Sequence, residues 1–228
     1  MNIQGFQKMT LLDFPGHVAC TVFTGGCNLR CPFCHNAGLV RTPLAGANQT
    51  AAVLDFLSRR QGVLEGVCVT GGEPLLQPDL TEFLRQVKDM GYGVKLDTNG
   101  SLPRRLAAVL DTGLVDYVAM DIKSSPEGYS LAVGGEVDMD AIRDSVRLLT
   151  DSGVDHEFRT TAVKGIHTPA DFEAIGRWLA GPQVRYFIQH FVDSGALLGS
   201  GCGPFSPAEM DTLLQTVRPF IPGAALRG

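Results

Sequence analysis

The sequence has no run approaching about 18 uninterrupted apolar residues, so nothing in it reads as a membrane-spanning helix. Its opening, MNIQGFQKMTLLDFPG, lacks an apolar stretch followed by a small-residue cleavage site, which argues against a secretory signal. Both absences predict a cytoplasmic protein. Positive charge is also scarce: 19 Lys and Arg stand against 24 Asp and Glu, a net −5 at pH 7. The chain therefore has no broad electrostatic footprint for nucleic acid, and neither a nucleic-acid nor a membrane partner is expected. No repeat, low-complexity tract or Pro/Gly/Ser linker divides the 228 residues. A single domain over residues 1–228 follows, somewhat short of the roughly 250 residues of a complete eight-stranded α/β barrel.

What is present is an alternation of short apolar runs and amphipathic stretches. Strands are predicted at His17–Phe23, Gly66–Thr70, Gly93–Asp97, Asp116–Asp121, Glu157–Val163 and Arg185–Phe191, all rich in Val, Ile, Phe or Tyr. Helices are predicted at Thr50–Arg60, Pro78–Met90, Leu102–Asp111, Met139–Ser152, Pro169–Ala180 and Pro207–Val217. Gly91, Gly113, Gly153 and Gly181 sit where a helix end needs a residue at positive φ; Thr168-Pro169 and Ser206-Pro207 read as N-cap followed by N1 proline. Ser206 with Glu209 has capping-box spacing. The alternation implies an α/β fold with a parallel sheet and right-handed crossovers, either open or a complete or partial barrel. In each case the working rim lies at the carboxyl ends of the strands. That rim would carry the loop 24–36, Gly71–Pro74, Asp97–Gly100, Asp121 and Lys123.

Six cysteines in a secreted chain would suggest disulfides, but three of these fall within eight residues, Cys27-Asn-Leu-Arg-Cys31-Pro-Phe-Cys34. Thiolates are soft ligands, and this C-x3-C-x2-C spacing lets one loop wrap a compact metal centre. A zinc site is the alternative, but His35 adjoins Cys34 and is awkwardly placed to complete a tetrahedron. Three cysteines on a four-iron cluster leave one iron open to a ligand that can react. Cys20 and Cys68 lie in apolar strands and read as packing residues, while the glycine-flanked Cys202 is left unassigned.

The cysteine spacing, with Phe33 before the third cysteine, and the turn Gly71-Gly72-Glu73-Pro74 after the second strand resemble the signature of the radical S-adenosylmethionine superfamily. The resemblance implies a partial (β/α)6 TIM-like barrel and a cluster held by Cys27, Cys31 and Cys34 that reductively cleaves S-adenosylmethionine to start radical chemistry. Asp13-Phe-Pro-Gly16, Cys34-His-Asn36, Leu96-Asp-Thr-Asn-Gly100, Ala119-Met-Asp-Ile-Lys123 and Phe158-Arg-Thr-Thr161 further resemble glycyl-radical enzyme activating proteins. The resemblance is especially to the activating component of anaerobic ribonucleoside-triphosphate reductase, with pyruvate formate-lyase activating enzyme as a relative. By that resemblance Phe33, Gly71, Gly72, Glu73, Asp97, Asp121, Lys123, Arg159 and His190 belong to the cofactor site. The paired glycines would admit a ligand closely, and Glu73 would accept from the cofactor's ammonium. With only Asn36–Thr50 before the next helix there is no room for a ferredoxin-like insert, so one cluster is expected. The partners implied are a glycyl-radical enzyme and a flavodoxin or ferredoxin electron donor. Asp13–Gly16 and the 194–205 loop would line the entrance for the protein substrate.

Simpler readings stand beside these. Asp97 could close a turn, and Asp121 and Lys123 could form a solvated strand end or pair with each other, sharing a face at i and i+2. Arg159 could make a core-edge ion pair, and His190 could be a satisfied buried histidine. Two other functions also compete: a radical enzyme acting on a small molecule, such as a modified-base precursor, and a non-catalytic iron–sulfur or zinc module.

Overall fold

The structure is a computed structural model in which residues 1–41, 49–193 and 195–227 are described. Its eight strands are β1 (Ile3–Thr10), β2 (Ala19–Thr24), β3 (Gly66–Gly71), β4 (Gly93–Thr98), β5 (Tyr117–Asp121), β6 (Asp155–Ala162), β7 (Tyr186–His190) and β8 (Ala225–Arg227). The helices are α1 (Ala37–Val40), α2 (Thr50–Ser58), α3 (Leu80–Asp89), α4 (Pro103–Leu110), α5 (Tyr129–Val133), α6 (Met139–Asp151), α7 (Pro169–Leu179) and α8 (Pro207–Val217), with a 3-10 turn at Pro74–Leu76. The sheet runs β1 to β8 in chain order, mostly parallel, with β1 and β8 as its end strands. This is the expected α/β architecture. All six predicted strands and all six predicted helices are present, shifted by a residue or two at their ends.

Two strands and two short helices were not anticipated. β1 reads IQGFQKMT, too polar for a buried run, and its antiparallel ladder with β2 is interrupted between Ile3 and Gly5 and between Gln7 and Thr10. β8 has 3 residues, α1 has 4 and α5 has 5, all below the length at which periodicity is readable. Residues 42–48 of the Asn36–Thr50 connection and Ser194 of the predicted entrance loop lie outside the described residues.

The chain forms two compact units. The first comprises Met1–Asn28, Gly38–Ala119 and Ala141–Asp155. In it β2, β3 and β4 pair in parallel, Val22 beside Val69 and Val69 beside Leu96, and these β-branched and leucine side chains are fully buried. Helix α3 buries Leu80, Phe83, Leu84 and Val87, the i, i+3, i+4, i+7 stripe, and leaves Glu82 and Arg85 outward. It stops at Gly91, whose φ of 86° suits glycine. Phe14, within the Asp13–Gly16 segment, is buried with Ala19 and Tyr117, and its ring fills the space a Cβ at Gly66 would need.

The second unit comprises Leu29–Ala37, Met120–Asp140 and His156–Gly228. Here β6, β7 and β8 pair in parallel. Helix α8 starts with the capping box its sequence suggests, Ser206 with Glu209, and α7 starts at the predicted N-cap Thr168, which forms a second capping box with Asp171. Gly181 departs from expectation: α7 ends one residue earlier, at an extended Ala180, and Gly181 is not among the positive-φ glycines. The guanidinium of Arg227 closes the unit, gripping the buried Glu157 and lying 3.6 Å over the Phe187 ring. Among the described residues no helix is long and apolar enough to cross a membrane.

Candidate active site

In the first unit the root of the cysteine loop is held by backbone hydrogen bonds. Gly25 N–H donates to Asn2 O at 2.9 Å, and Gly25 O accepts from the buried Gln77 side chain at 2.9 Å. Gly26 N–H donates to Leu39 O, and Gly26 O accepts from Glu73 N–H, both at 2.8 Å. This contact explains Gly71-Gly72. A Cβ on Gly72 would stand 2.0 Å from Gly26 O, and one on Gly71, at φ 111°, would stand 2.4 Å from Thr24 N. The glycines thus let the turn after β3 lie directly on the backbone leading to Cys27, where the sequence suggested room for a ligand.

Glu73 is engaged in the same turn. Its side chain is fully buried, and its oxygens accept from Leu75 N–H at 3.0 Å, Thr98 Oγ1 at 2.9 Å and Asn99 N–H at 2.8 Å. The carboxylate therefore ties the turn after β3 to the end of β4. Thr98 and Asn99 were not singled out in the sequence, although they sit inside the quoted Asp-Thr-Asn-Gly segment. Asn99 is also buried, and its Nδ2 lies 3.8 Å from Cys27 Sγ. Asp97 forms a short ion pair with Lys95, itself buried on β4 beside Cys68. Cys20 is buried as predicted, and burial pushes its thiol up to about 12.

In the second unit Asp121 ends β5 and is the hub of an ion triad. Lys123 Nζ donates to its Oδ2 at 2.9 Å, and Arg159 donates to its Oδ1 from Nε at 3.0 Å and from Nη2 at 2.9 Å. Burial alone would raise the carboxyl, but the two cations outweigh it and hold Asp121 well below the usual carboxylate range. For Lys123, burial would lower the ammonium, yet Asp121 and the nearby Cys31 raise it. The alternatives of an Asp121–Lys123 pair and of an Arg159 ion pair are thus both realised, in one cluster.

Cys31 and Cys34 belong to this unit. Cys34 N–H donates to Cys31 O at 3.1 Å, closing the turn that sets their spacing. Arg30 N–H donates to Val133 O at 3.0 Å and Gly199 N–H to Pro32 O at 2.9 Å, so α5 and the segment after β7 fasten the loop on either side of Cys31. Burial raises the Cys34 thiol, opposed by the Asn36 backbone and by the charge of Lys123. Phe33 is buried edge-on to His167, a residue the sequence analysis missed because a histidine before a helix cap carries no motif signal. His167 Nδ1 accepts from Val163 N–H at 3.0 Å, which leaves the proton on Nε2 to donate to Lys123 O at 2.8 Å. His190 ends β7, half-buried beside Ala162, and among the described residues no hydrogen bond joins it to the triad.

None of the six cysteines is disulfide-bonded. Among the described residues no three His, Cys, Asp or Glu side chains are gathered for one metal ion to bind them all. The donor set is that of a cluster, whose thiolates bind different irons. It fits one: three unbridged thiols fall on a single loop, and the charge of Lys123 opposes the burial that raises the Cys34 thiol.

Comparison with known proteins agrees. The family model of the Radical SAM superfamily matches residues 21–179. The chain is 30% identical over 196 residues, 83% of this chain and 79% of the relative, to MJ1227 of Methanocaldococcus jannaschii, a candidate glycyl-radical enzyme activating enzyme. It is 33% identical over 148 residues, 56% of each chain, to 7-carboxy-7-deazaguanine synthase of Methanopyrus kandleri. Its fold matches that of Streptococcus suis SuiB bound to S-adenosylmethionine with a TM-score of 0.69 at 15% identity, covering 89% of this chain and 48% of SuiB.

Proposed function

This chain belongs to the radical S-adenosylmethionine superfamily, whose members use a [4Fe–4S] cluster with S-adenosylmethionine, and on that premise we propose that it activates a glycyl-radical enzyme. Cys27, Cys31 and Cys34 hold one cluster, which when bound supplies the electron for reductive cleavage of the cofactor. Lys123 and Arg159 offer positive charge to the cofactor's carboxylate, and Asp97 and Asp121 offer acceptors to its ammonium and ribose hydroxyls, so no charge of the ligand is left buried without a partner. Phe33, Gly71, Gly72 and Glu73 hold the cysteine loop in shape, and His190 borders the site from β7. The protein substrate is a glycine-bearing segment of anaerobic ribonucleoside-triphosphate reductase, and a flavodoxin or ferredoxin delivers the electron. The observation that carries this reading is the 30% identity extending over 79% of a candidate activating enzyme.

The test is to reconstitute the protein anaerobically, reduce it with S-adenosylmethionine present, and add the reductase. A glycyl-radical doublet on the reductase in electron paramagnetic resonance is the expected result; cofactor cleavage without a doublet on any glycyl-radical partner overturns it. A second reading, radical chemistry on a small molecule, draws on the 33% identity to the deazaguanine synthase, which extends over only 56% of either chain.

A further inference from the structure

Asn99 is held from every side by groups whose hydrogen-bonding roles are unambiguous. Its backbone N–H donates to the buried Glu73 carboxylate at 2.8 Å. Its Oδ1 accepts from the Ser101 backbone N–H at 2.9 Å and from Ser101 Oγ at 2.6 Å. A backbone N–H can only donate, so it identifies the atom facing it as the amide oxygen and the other as Nδ2. Nδ2 has two hydrogens and two neighbours: Asn28 Oδ1 at 3.0 Å and Cys27 Sγ at 3.8 Å, a distance that suits the larger sulfur acceptor. Asn28 completes the ring, its own Nδ2 donating to Ser101 Oγ at 2.7 Å. The orientation of the Asn99 amide is therefore closed by Asn28 and Ser101, with one N–H left for the sulfur.

The geometry points to Asn99 as a positioning residue that donates an N–H···S hydrogen bond to the Cys27 thiolate and raises the reduction potential of the cluster, with Glu73 anchoring Asn99 for that purpose. The inference rests on the cluster assignment made under Proposed function. Its physics is that a hydrogen bond to a ligating sulfur draws electron density from it, which favours the more negative, reduced state. It also accounts for the buried glutamate of the Gly-Gly-Glu-Pro turn, which holds the backbone of the residue whose side chain addresses Cys27.

The experiment compares reconstituted wild type with Asn99→Ala and Asn99→Asp in anaerobic titrations, one electron from dithionite converting the 2+ cluster to the 1+ state, followed by electron paramagnetic resonance. Asn99→Asp keeps the acceptor for Ser101 and exchanges the donor for an oxygen. The expected result is a fall of roughly tenfold in the equilibrium constant for reduction in Asn99→Ala, ~59 mV for one electron, and a larger fall in Asn99→Asp. A role confined to loop shape would lower iron content and leave the potential where it was, and an unchanged potential in both variants overturns the inference. Wild type labelled with 15N in its asparagine side chains supplies a measurement independent of how the variants fold. Pulsed resonance of the reduced cluster should detect an exchangeable proton and a coupled 15N, and their absence overturns the inference as well. If wild type itself binds no reducible cluster, the cluster assignment fails first, and iron analysis distinguishes that outcome from failure of the Asn99 bond alone.

Discussion

Two carboxylates at the carboxyl ends of strands illustrate how the two units handle buried polarity. Glu73, after β3, accepts from the Thr98 hydroxyl and from the backbone N–H groups of Leu75 and Asn99. Asp121, at the end of β5, is gripped by the cations of Lys123 and Arg159. The first arrangement builds a rigid turn beneath Cys27, with directional bonds that salt scarcely touches. The second is a cluster of charge, which long-range electrostatics and pH can reach.

The sharpest way to break that contrast is at the cysteines, which fall on both sides of it. Cys27→Ala, Cys31→Ala and Cys34→Ala should each abolish reductive cleavage of S-adenosylmethionine and lower the iron bound per chain. Retained cleavage in one of them would show that its thiol is not a ligand of the cluster. Next in size is Gly72→Ala, whose methyl would sit 2.0 Å from Gly26 O. Overpacking of this kind should cost about 3 kcal/mol, read as a lowered midpoint in urea together with poor iron uptake. An unaffected midpoint would mean that the turn is not rigid.

Asp121→Asn should cost about 2 kcal/mol, less than a fully buried pair because the Asp121 side chain is 30% exposed. Its pH dependence carries a sign. The folded carboxyl lies below the ordinary value of about 3.9, so its contribution is complete above that pH and is lost as pH falls through the folded value. The gap in stability between wild type and Asp121→Asn should therefore be widest above about pH 4 and close in stronger acid. Glu73→Gln, which presents an N–H2 to groups that donate, should cost about 2 kcal/mol as well, with little change on adding salt. A strong salt response would erase the distinction between the carboxylates. At the small end, Arg59→Ala removes an exposed i, i+4 pair with Asp55 and should move stability by about 0.3 kcal/mol.

Much of the frame could be read from the chain before any coordinates. The strands β2 to β7 are apolar runs bounded by glycine and polar turns, and the caps of α7 and α8 are written within four residues, so local physics suffices for both. β1 was missed because an end strand can be polar and bulged, and β8 because three residues hold no period. Within the site, Lys123 pairing with Asp121 was legible from their i, i+2 spacing. Arg159 joining them was only one alternative, because it depends on where β6 lies, 38 residues away. The protein partners of Gly72 and Glu73 were not legible for the same reason: a motif names residues, and Gly26 and Asn99 are brought to them by the packing of other segments.

The chain alone determined which atoms are available: three soft donors within eight residues, paired glycines in the turn after a strand, and the alternating elements of an α/β fold. Those are consequences of covalent spacing and local conformational preference. Tertiary structure decided what each polar group faces, turning Glu73 toward Thr98 and Asn99, His167 toward Lys123, and Asn99 toward Cys27. Hydrogen bonds and ion pairs depend on distances of an ångström between segments remote in sequence, and those distances exist only once the strands are in register.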